Sequence, residues 1–97
     1  MKSSRLILPS DTRMIYFGTK DVLDNHEEKE ARRTKLIQAM QARNNPDQTP
    51  ISIYLRLPNG ETVETRSDVL NYDLDRDDIV IIKGGHFIPV YAILDVA

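Results

Sequence analysis

Apolar and polar residues alternate along the second half of this 97-residue chain. In the stretch Ile51–Leu57 every second residue is isoleucine or leucine, which places the apolar side chains on one face of a β-strand. Asn59-Gly60 follows at once. Both residues tolerate a positive φ, so the pair predicts a tight hairpin. We therefore expect the chain to return as an antiparallel strand from Glu61 to Arg66.

Further strands are predicted after a long loop from Ser67 to Asp78. Residues 79–82 (Ile-Val-Ile-Ile) are apolar without alternation, as is typical of a central strand covered on both faces. Gly84-Gly85 predicts a turn. A strand at about Phe87 to Val90 and a last strand from Tyr91 to Val96 complete the set, which gives five strands after residue 50.

The first half of the chain predicts one helix, from residue 24 to residue 43. Asp24 followed by Glu27 resembles a capping box, and Pro46 with its neighbouring asparagines ends the helix. The N-terminal half is almost entirely charged, with Glu28 and Arg32 at the i, i+4 spacing of an ion pair. The apolar residues cluster in the second half, so we expect only the last turns to be buried. They are Leu36, Ile37, Ala39 and Met40.

Two short apolar runs precede this helix, Arg5–Leu8 and Met14–Phe17. A turn-forming segment, Pro9–Thr12, separates them, which predicts a small hairpin or two edge strands. The expected organisation is thus a single domain over residues 1–97. It consists of an N-terminal extension with short strands (1–23), a helix (24–43) and a five-stranded barrel (50–97).

Charge is distributed unevenly over the chain, although the net charge is only −2. Residues 1–50 carry nine Lys or Arg against seven acids (+2), whereas residues 51–97 carry four against eight (−4). Cysteine is absent, which excludes disulfides and thiolate chemistry and is compatible with a reducing cytoplasm. No apolar run approaches the roughly 18 residues that span a bilayer. We therefore expect a soluble cytoplasmic protein that does not enter the membrane.

Candidate catalytic and metal-binding residues are few. Asp73, Asp75, Asp77 and Asp78 have the alternate spacing that begins a calcium loop, but Ile79 and Gly84 stand where such a loop needs glycine and glutamate. A solvated acidic loop is the simpler interpretation. His26 and His86 have no second imidazole nearby in sequence. A barrel this small has no room for an enzyme's cavity. We expect no enzymatic activity, no metal and no cofactor.

Four short pieces of the chain resemble a known family in the same order. Pro50-Ile51-Ser52-Ile53-Tyr54-Leu55 is similar to an Ile-Pro-Val-Ser-Ile-Tyr-Leu segment, and Asn59-Gly60 to an Asn-Gly turn. Residues 79–83 are similar to Val-Ile-Leu-Leu-Lys, and Ala92-Ile93 to an Ala-Ile pair. The chain thus resembles the Sm-like family (LSm and Hfq proteins), and above all its bacterial Hfq branch. The resemblance covers about half of the chain.

The resemblance implies a mainly β fold with one α-helix. In the Sm-like fold an N-terminal helix caps a strongly bent five-stranded antiparallel sheet, a small SH3-like barrel. It also implies a homo-oligomeric ring of about five to seven subunits, in which strand four of one subunit pairs with strand five of the next. An apolar strand with an unpaired edge favours such closure. The implied interface residues are Phe87, Ile88, Val90, Ile93, Leu94 and Val96.

Two departures from the family pattern imply that the chain would be a divergent member of the family it resembles. Pro89-Val90-Tyr91 stands where Hfq has Tyr-Lys-His, so the cationic and imidazole groups of the inner pore are missing. The loop from Ser67 to Asp78 is also about five residues longer and rich in aspartate. Divergence of this kind is common in proteins encoded by phages and mobile elements, and such an origin is one hypothesis.

The function implied by the resemblance is RNA binding, in a riboregulatory role. Asn71 and Tyr72 correspond to the loop with which Sm-like proteins stack and hydrogen-bond a base, and Tyr91 offers a second aromatic face. The other candidate contacts are basic. They are Lys83, Arg32, Arg33 and Lys35. The simpler interpretation is that the tyrosines pack in the fold and that the charged helix face is only solvated. A protein–protein adaptor or structural ring subunit without RNA binding is the alternative function.

Overall fold

The computed structural model describes residues 4–42 and 50–97. Among these residues it contains mostly strands and one α-helix, as the sequence predicts, together with two short 3₁₀ helices. In chain order the elements are β1 (Arg5–Ile7), η1 (Pro9–Met14), α1 (His26–Ala42), β2 (Ile51–Arg56), β3 (Thr62–Ser67), β4 (Val69–Tyr72), β5 (Ile79–Ile82), β6 (His86–Pro89), η2 (Val90–Ala92) and β7 (Ile93–Val96). No helix in the described ranges is both long and apolar enough to cross a membrane.

The strands form two sheets that share one continuous piece of chain. The first sheet has the order β1-β3-β2-β7, and the second has the order β4-β5-β6. Only Asp68 separates β3 from β4, so the chain passes from one sheet to the other within a single residue. The last strand, β7, returns antiparallel to β2. Residues 52 and 97 extend this pairing by exchanging both backbone hydrogen bonds.

The core lies between the two sheets and is closed on one side by the helix. α1 packs against β4 and β7, and it contributes Leu36 and Ala39 to the buried cluster. The remaining core side chains come mainly from the inward faces of the strands, where the alternation along β2 and β3 places every second residue. The fully buried apolar residues include Ile53, Leu55, Val63, Val69, Val80, Ile82, Ile88 and Ile93.

The predicted turns after β2 and β5 are confirmed, with one difference in backbone geometry. β2 and β3 form an antiparallel hairpin in which Ile53 faces Thr65, and Gly60 has a φ of +88°. Asn59 does not share the positive φ. Instead its side-chain oxygen accepts a hydrogen bond of 2.9 Å from the backbone N–H of Glu61. The turn is therefore held by an asparagine side chain and relieved of strain by a single glycine.

The predicted helix is confirmed, but its first residues were assigned wrongly. Asn25, not Asp24, caps the helix, because its side-chain oxygen accepts hydrogen bonds from the N–H groups of Glu27 (2.7 Å) and Glu28 (3.3 Å). The helix ends at Ala42, and the predicted last residue, 43, lies outside the described residues. Arg32 is buried although it belongs to the charged half, and the expected Glu28–Arg32 pair is replaced by an ion pair with Asp21.

Of the small hairpin or two edge strands predicted near the N-terminus, one edge strand is present and the hairpin is not. Arg5–Ile7 is a strand, but it pairs in parallel with β3, with Ile7 opposite Thr65. The turn segment continues as the 3₁₀ helix η1, and residues 15–17 form no strand. Two local bonds explain η1: Asp11 accepts a hydrogen bond of 3.0 Å from the N–H of Leu8, and the Thr12 hydroxyl donates to the carbonyl of Pro9 (2.7 Å). These bonds favour a compact turn over a second extended run.

The number of strands after the helix also differs from the prediction of five. Six are present in residues 50–97, because the segment predicted as a long loop contains β4. The true loop is confined to residues 73–78. At the other end, η2 takes the first residues of the predicted last strand, which starts at Ile93 instead of Tyr91. The strand was not predicted because β4 has only four residues, too few for a clear alternation of buried and exposed positions. The aspartates that follow it also favoured the prediction of a loop.

Candidate nucleic-acid interface

Arg32, one of the predicted RNA contacts, is a structural residue in this fold. Only 4% of its side chain is exposed. Its guanidinium donates to both carboxylate oxygens of Asp21 (2.9 and 2.8 Å) and to the carbonyl of Ile93 (3.0 Å). Burial acts to raise the pKa of Asp21, but the bonds from Arg32 and from the N–H of Leu23 outweigh it, so the pKa lies below the ordinary value. Arg32 thus ties the helix to β7. Its Nε has no hydrogen-bond partner among the described residues but is buried, so it offers no donor to a phosphate at the surface.

The other two cations of the predicted helix cluster have protein partners. Lys35 forms an exposed ion pair of 2.6 Å with Asp95 on β7. Arg33 is half-buried and lies close enough to Tyr72 to act on its phenol. Of the three cations, Arg32 is buried, Arg33 is half-buried and only Lys35 is exposed, where it is already paired with Asp95. A basic surface that is free for a nucleic-acid backbone is not found at this place in the described structure.

The two predicted stacking residues, Tyr72 and Tyr91, are also engaged within the chain. Tyr72 is buried, and its hydroxyl donates to the carboxylate of Asp77. Burial, then the hydrogen bond and the charge of Asp77, raise the pKa of the Tyr72 phenol above its ordinary value. Tyr91 is half-buried, and its hydroxyl donates to the carbonyl of Gly18 (2.7 Å). In this conformation a base has no access to the ring of Tyr72.

Asn71 and Lys83 are the exposed members of the predicted site. Asn71 lies on β4 opposite Ile81, and its side-chain oxygen accepts from the N–H of Tyr72 (2.9 Å). Lys83 lies in the turn after β5, where its N–H donates to the Ser67 hydroxyl (3.0 Å). The structure thus places Arg33 and Asn71 beside Tyr72, but it buries Tyr72 and Arg32. The role of the predicted residues in RNA binding stays a prediction.

The residues of the predicted oligomer interface have mixed positions. Ile88, Val90, Ile93 and Val96 are buried in the core of their own chain, Leu94 is half-buried, and Phe87 is exposed. The buried side chains are thus occupied inside the subunit, and only their strand backbones are left for pairing between subunits.

The acidic loop is held by its own hydrogen bonds. The side chain of Asp73 accepts from the N–H groups of Asp75 (3.0 Å) and Arg76 (3.2 Å), and Arg76 pairs with Asp78 (3.1 Å). Asp77 has a positive φ of 51°, which aspartate tolerates better than most residues. Among the described residues no group of His, Cys, Asp or Glu could hold a metal ion.

A groove that the sequence did not indicate is lined by a different set of residues. One wall is the segment Tyr16–Val22 between η1 and α1, and the other is the end of β2 with its turn, Arg56–Pro58. The groove has a volume of about 390 Å³, within the range of small-molecule binding sites. We call it the N-terminal groove.

The walls of this groove are fixed by contacts on both sides. Tyr91 holds the first wall, since its hydroxyl binds the carbonyl of Gly18 and its own carbonyl accepts from the N–H of Val22 (2.8 Å). Gly18 has a φ of +82°, and a Cβ there would lie 3.1 Å from the Cγ of Pro58. Glycine is therefore required where the two walls approach each other. Asp21, also in the wall, is tied to Arg32.

The electrostatics of the N-terminal groove favour an anionic ligand. Lys20 and Arg56 line it and are exposed, and within residues 4–42 and 50–97 neither forms an ion pair. The one acid in the lining, Asp21, is already paired with Arg32. Tyr16 stands beside these cations with 71% of its surface exposed. Two unpaired cations and an open aromatic ring can hold a phosphate and stack a base.

Sequence reasoning missed the groove because its residues are far apart along the chain. Tyr16 belonged to a run that predicted a strand, and Arg56 to the polar side of β2. One available signal was the segment Tyr16–Lys20, in which two aromatic residues, a glycine and a lysine follow one another before a helix. Its pairing with Arg56 depends on the fold alone.

Comparison with protein-family models, curated proteins and solved structures gives no significant match to this chain.

Proposed function

We propose that this chain is a non-enzymatic, Sm-like small barrel protein that binds single-stranded RNA in the N-terminal groove. The observation that carries the proposal is the exposed ring of Tyr16 beside two unpaired cations, Lys20 and Arg56. RNA-binding proteins recognise unstacked bases with aromatic side chains and hold the backbone with basic ones. The groove offers both kinds of group within one set of walls.

The arrangement of the strands supports the Sm-like part of the proposal. The chain bends from one sheet into the other at Asp68, and β7 returns beside β2. The chain therefore links the two sheets twice, once at Asp68 and once through η2, although the two sheets do not close into one barrel. The helix α1 packs against β4 and β7, which corresponds to the capping helix that the resemblance implies.

The distribution of charge explains why the groove is a better RNA site than the loop around Tyr72. Residues 73–78 contain four aspartates and one arginine, a net charge of −3 that repels phosphate. Lys20 and Arg56 lie in a different part of the molecule, near the entrance to α1. The overall charge of −2 therefore does not describe the local field at the groove.

Binding to a single groove is expected to be weak and dependent on salt. Two cations release counterions from only about two phosphates, which for a single strand corresponds to a salt slope of about −1.4. One stacked base adds about 1–3 kcal/mol. Several grooves on one homo-oligomer would act together on the same strand and raise the overall affinity.

The proposal is tested by titrating the protein into fluorescently labelled U-rich and A-rich RNA oligonucleotides and measuring anisotropy at two salt concentrations. The double variant Lys20→Ala/Arg56→Ala should weaken binding and remove most of the salt dependence. Tyr16→Ala should weaken binding about tenfold, whereas Tyr16→Phe, which keeps the aromatic ring, should bind like the wild type.

The matched control is Arg5→Ala/Arg66→Ala, which removes two exposed cations outside the groove. This control should leave the affinity almost unchanged. Equal losses in the two double variants would mean that RNA is attracted only by general charge. A wild-type protein that does not bind either oligonucleotide at low salt would refute the proposed function.

A second candidate function, protein–protein association without RNA, has one specific observation in its favour. Phe87 and Ile79 expose apolar surface on the outer side of β4-β5-β6. Apolar side chains on an otherwise polar surface often mark an interaction site.

A further inference from the structure

The three-stranded sheet has an apolar outer side. Ile81 lies opposite Phe87, and Ile79 lies opposite Pro89. Their neighbours along the strands, Val80, Ile82 and Ile88, are fully buried, so the alternation of the strands turns the first four residues away from the core. Phe87 is 61% and Ile79 41% exposed. We call Ile79, Ile81, Phe87 and Pro89 the outer apolar face.

An acidic rim lies beside this face. Asp73 and Asp78 line the shallow groove that also contains Ile79, Ile81 and Phe87, and Asp75 lies in the same loop. Arg76 is the one cation of residues 73–78 and is already paired with Asp78. The rim therefore keeps a net negative charge, and the surface fits a partner that presents apolar side chains next to a cation.

The chain itself presents such a combination at its N-terminal segment. Met14 is 84% exposed, the highest value among the large exposed hydrophobic residues of the described ranges, and Leu8 is also exposed. Arg13, next to Met14, is exposed and forms no ion pair within the described residues. We call Leu8, Arg13 and Met14 the N-terminal patch. Its charge is opposite to that of the acidic rim.

The strand edges are less suitable for contacts between subunits. η1 of the same chain lies against β6. On β7, Arg32 occupies the carbonyl of Ile93, and the side chain of Asp95 accepts from the N–H of Val96 (2.8 Å). The edge pairing implied by the Sm-like resemblance would therefore meet elements and side chains of the same subunit. On the outer apolar face, in contrast, the side chains of Phe87 and Ile79 remain exposed beside η1.

We infer that the outer apolar face of one subunit binds the N-terminal patch of a second copy of this chain, with Arg13 against the acidic rim. The two surfaces are different, so the contact is heterologous and leads from one subunit to the next. Such contacts close into a ring when the rotation between subunits permits. This inference concerns assembly and does not depend on RNA binding in the N-terminal groove.

The test is the molar mass in solution, measured by sedimentation equilibrium over a range of protein concentrations. The wild type should form a homo-oligomer. Phe87→Ser should shift the protein to the monomer of 11.1 kDa. Leu6→Ser is the matched control, because Leu6 is equally apolar and exposed but lies on β1, outside both surfaces. This control should keep the wild-type mass.

Charge reversal identifies the partner surface. Arg13→Glu alone and Asp73→Arg/Asp75→Arg together should each weaken association by about tenfold or more. The triple variant should restore it, because the charges then match again with opposite signs. A monomeric wild type, or a triple variant that is not restored, would contradict the inference. If Asp73→Arg/Asp75→Arg strengthens association while Arg13→Glu has no effect, two outer apolar faces bind each other instead, and the inference is wrong.

Measuring both the molar mass and the RNA affinity of the same variants separates this inference from the proposed function. Lys20→Ala/Arg56→Ala should lose RNA binding but keep the wild-type mass. Phe87→Ser should have the molar mass of the monomer but should still bind RNA with the affinity of a single groove. Loss of both properties in either variant would show that the two surfaces are not independent, against the assignment made here.

Discussion

Two ion pairs on the same helix should contribute very differently to stability. Arg32 and Lys35 are three residues apart on α1, and both bind an aspartate outside the helix, Asp21 and Asp95. The Arg32 side chain is 4% exposed, whereas Lys35 is 44% exposed. We predict that Arg32→Ala destabilises the protein strongly and that Lys35→Ala has little effect.

The magnitude follows from what Arg32→Ala leaves behind. Removal of the guanidinium takes three hydrogen bonds away, two from Asp21 and one from the carbonyl of Ile93. Removing one partner of a buried pair costs about 3–5 kcal/mol. Asp21 keeps 26% exposure and can be solvated in part, so we expect the lower end, about 3 kcal/mol. For a domain of this size that corresponds to a fall in Tm of about 12–24 °C.

Lys35→Ala is the matched control. Both partners of the Lys35–Asp95 pair are about half exposed, and exposed pairs contribute at most about 1 kcal/mol. Urea unfolding followed by far-ultraviolet circular dichroism gives the free energy of unfolding and the m value for each variant. Equal destabilisation by the two variants would refute the argument that burial determines the strength of these pairs.

The pH dependence gives an independent check. The pKa of Asp21 is lowered in the folded state, so its contribution to stability is present above the unfolded pKa of about 3.9 and is lost as the pH falls through the folded pKa. Arg32→Ala should flatten this part of the stability profile. An unchanged acid profile in that variant would mean that another carboxylate is responsible.

Two further predictions concern a phenol and two glycines. Because the pKa of Tyr72 is raised, part of the absorbance change that accompanies tyrosine ionisation should appear only well above pH 10. The variant Tyr72→Phe should abolish that part. The stabilisation of the fold by the neutral phenol is complete below about pH 10 and is lost as the pH rises towards the pKa of the folded state. Gly60→Ala should cost about 1–2 kcal/mol from backbone strain alone, since no atom lies within 4 Å of the new Cβ. Gly18→Ala should cost more, because its Cβ would also lie 3.1 Å from Pro58. Urea unfolding checks both glycine variants, and the reverse order would contradict this reasoning.

The elements that the sequence predicted correctly are those set by local patterns. The alternation from Ile51 to Leu57, the Asn59-Gly60 turn and the apolar run of β5 each act within a few residues. The helix was also found, since its charged start and apolar end are local features. The general β-rich architecture with one helix follows from these segments.

The features that the sequence did not predict depend on contacts between distant residues. Arg5–Ile7 pairs with residues 63–65, and no local pattern selects a parallel partner so far along the chain. Arg32 looked like one cation of a solvated face, because its partner Asp21 lies 11 positions away in a segment without regular structure. In both cases tertiary contacts override local preference.

The candidate site was also difficult to predict, because it depends on contacts between residues that are distant in sequence. Asn71, Tyr72 and Tyr91 were chosen by analogy of position, but the fold uses the hydroxyls of both tyrosines for its own hydrogen bonds. The N-terminal groove requires that Tyr16 and Arg56 meet across 40 positions of sequence. The orientation of these side chains, and the approach of Tyr16 to Arg56, are determined only when the two walls of the groove have folded together.

The anchoring of the N-terminal segment by late residues has a consequence for synthesis on the ribosome. Residues 5–7 pair with β3, and Val22 is held by the carbonyl of Tyr91. The partners are made long after the segment itself. At about 5–20 residues per second, the apolar run Leu6-Ile7-Leu8 waits several seconds outside the exit tunnel before its strand partner emerges. The N-terminal segment therefore stays unpaired until β3 and then Tyr91 have been synthesised, and during that time it is exposed to chaperones and proteases.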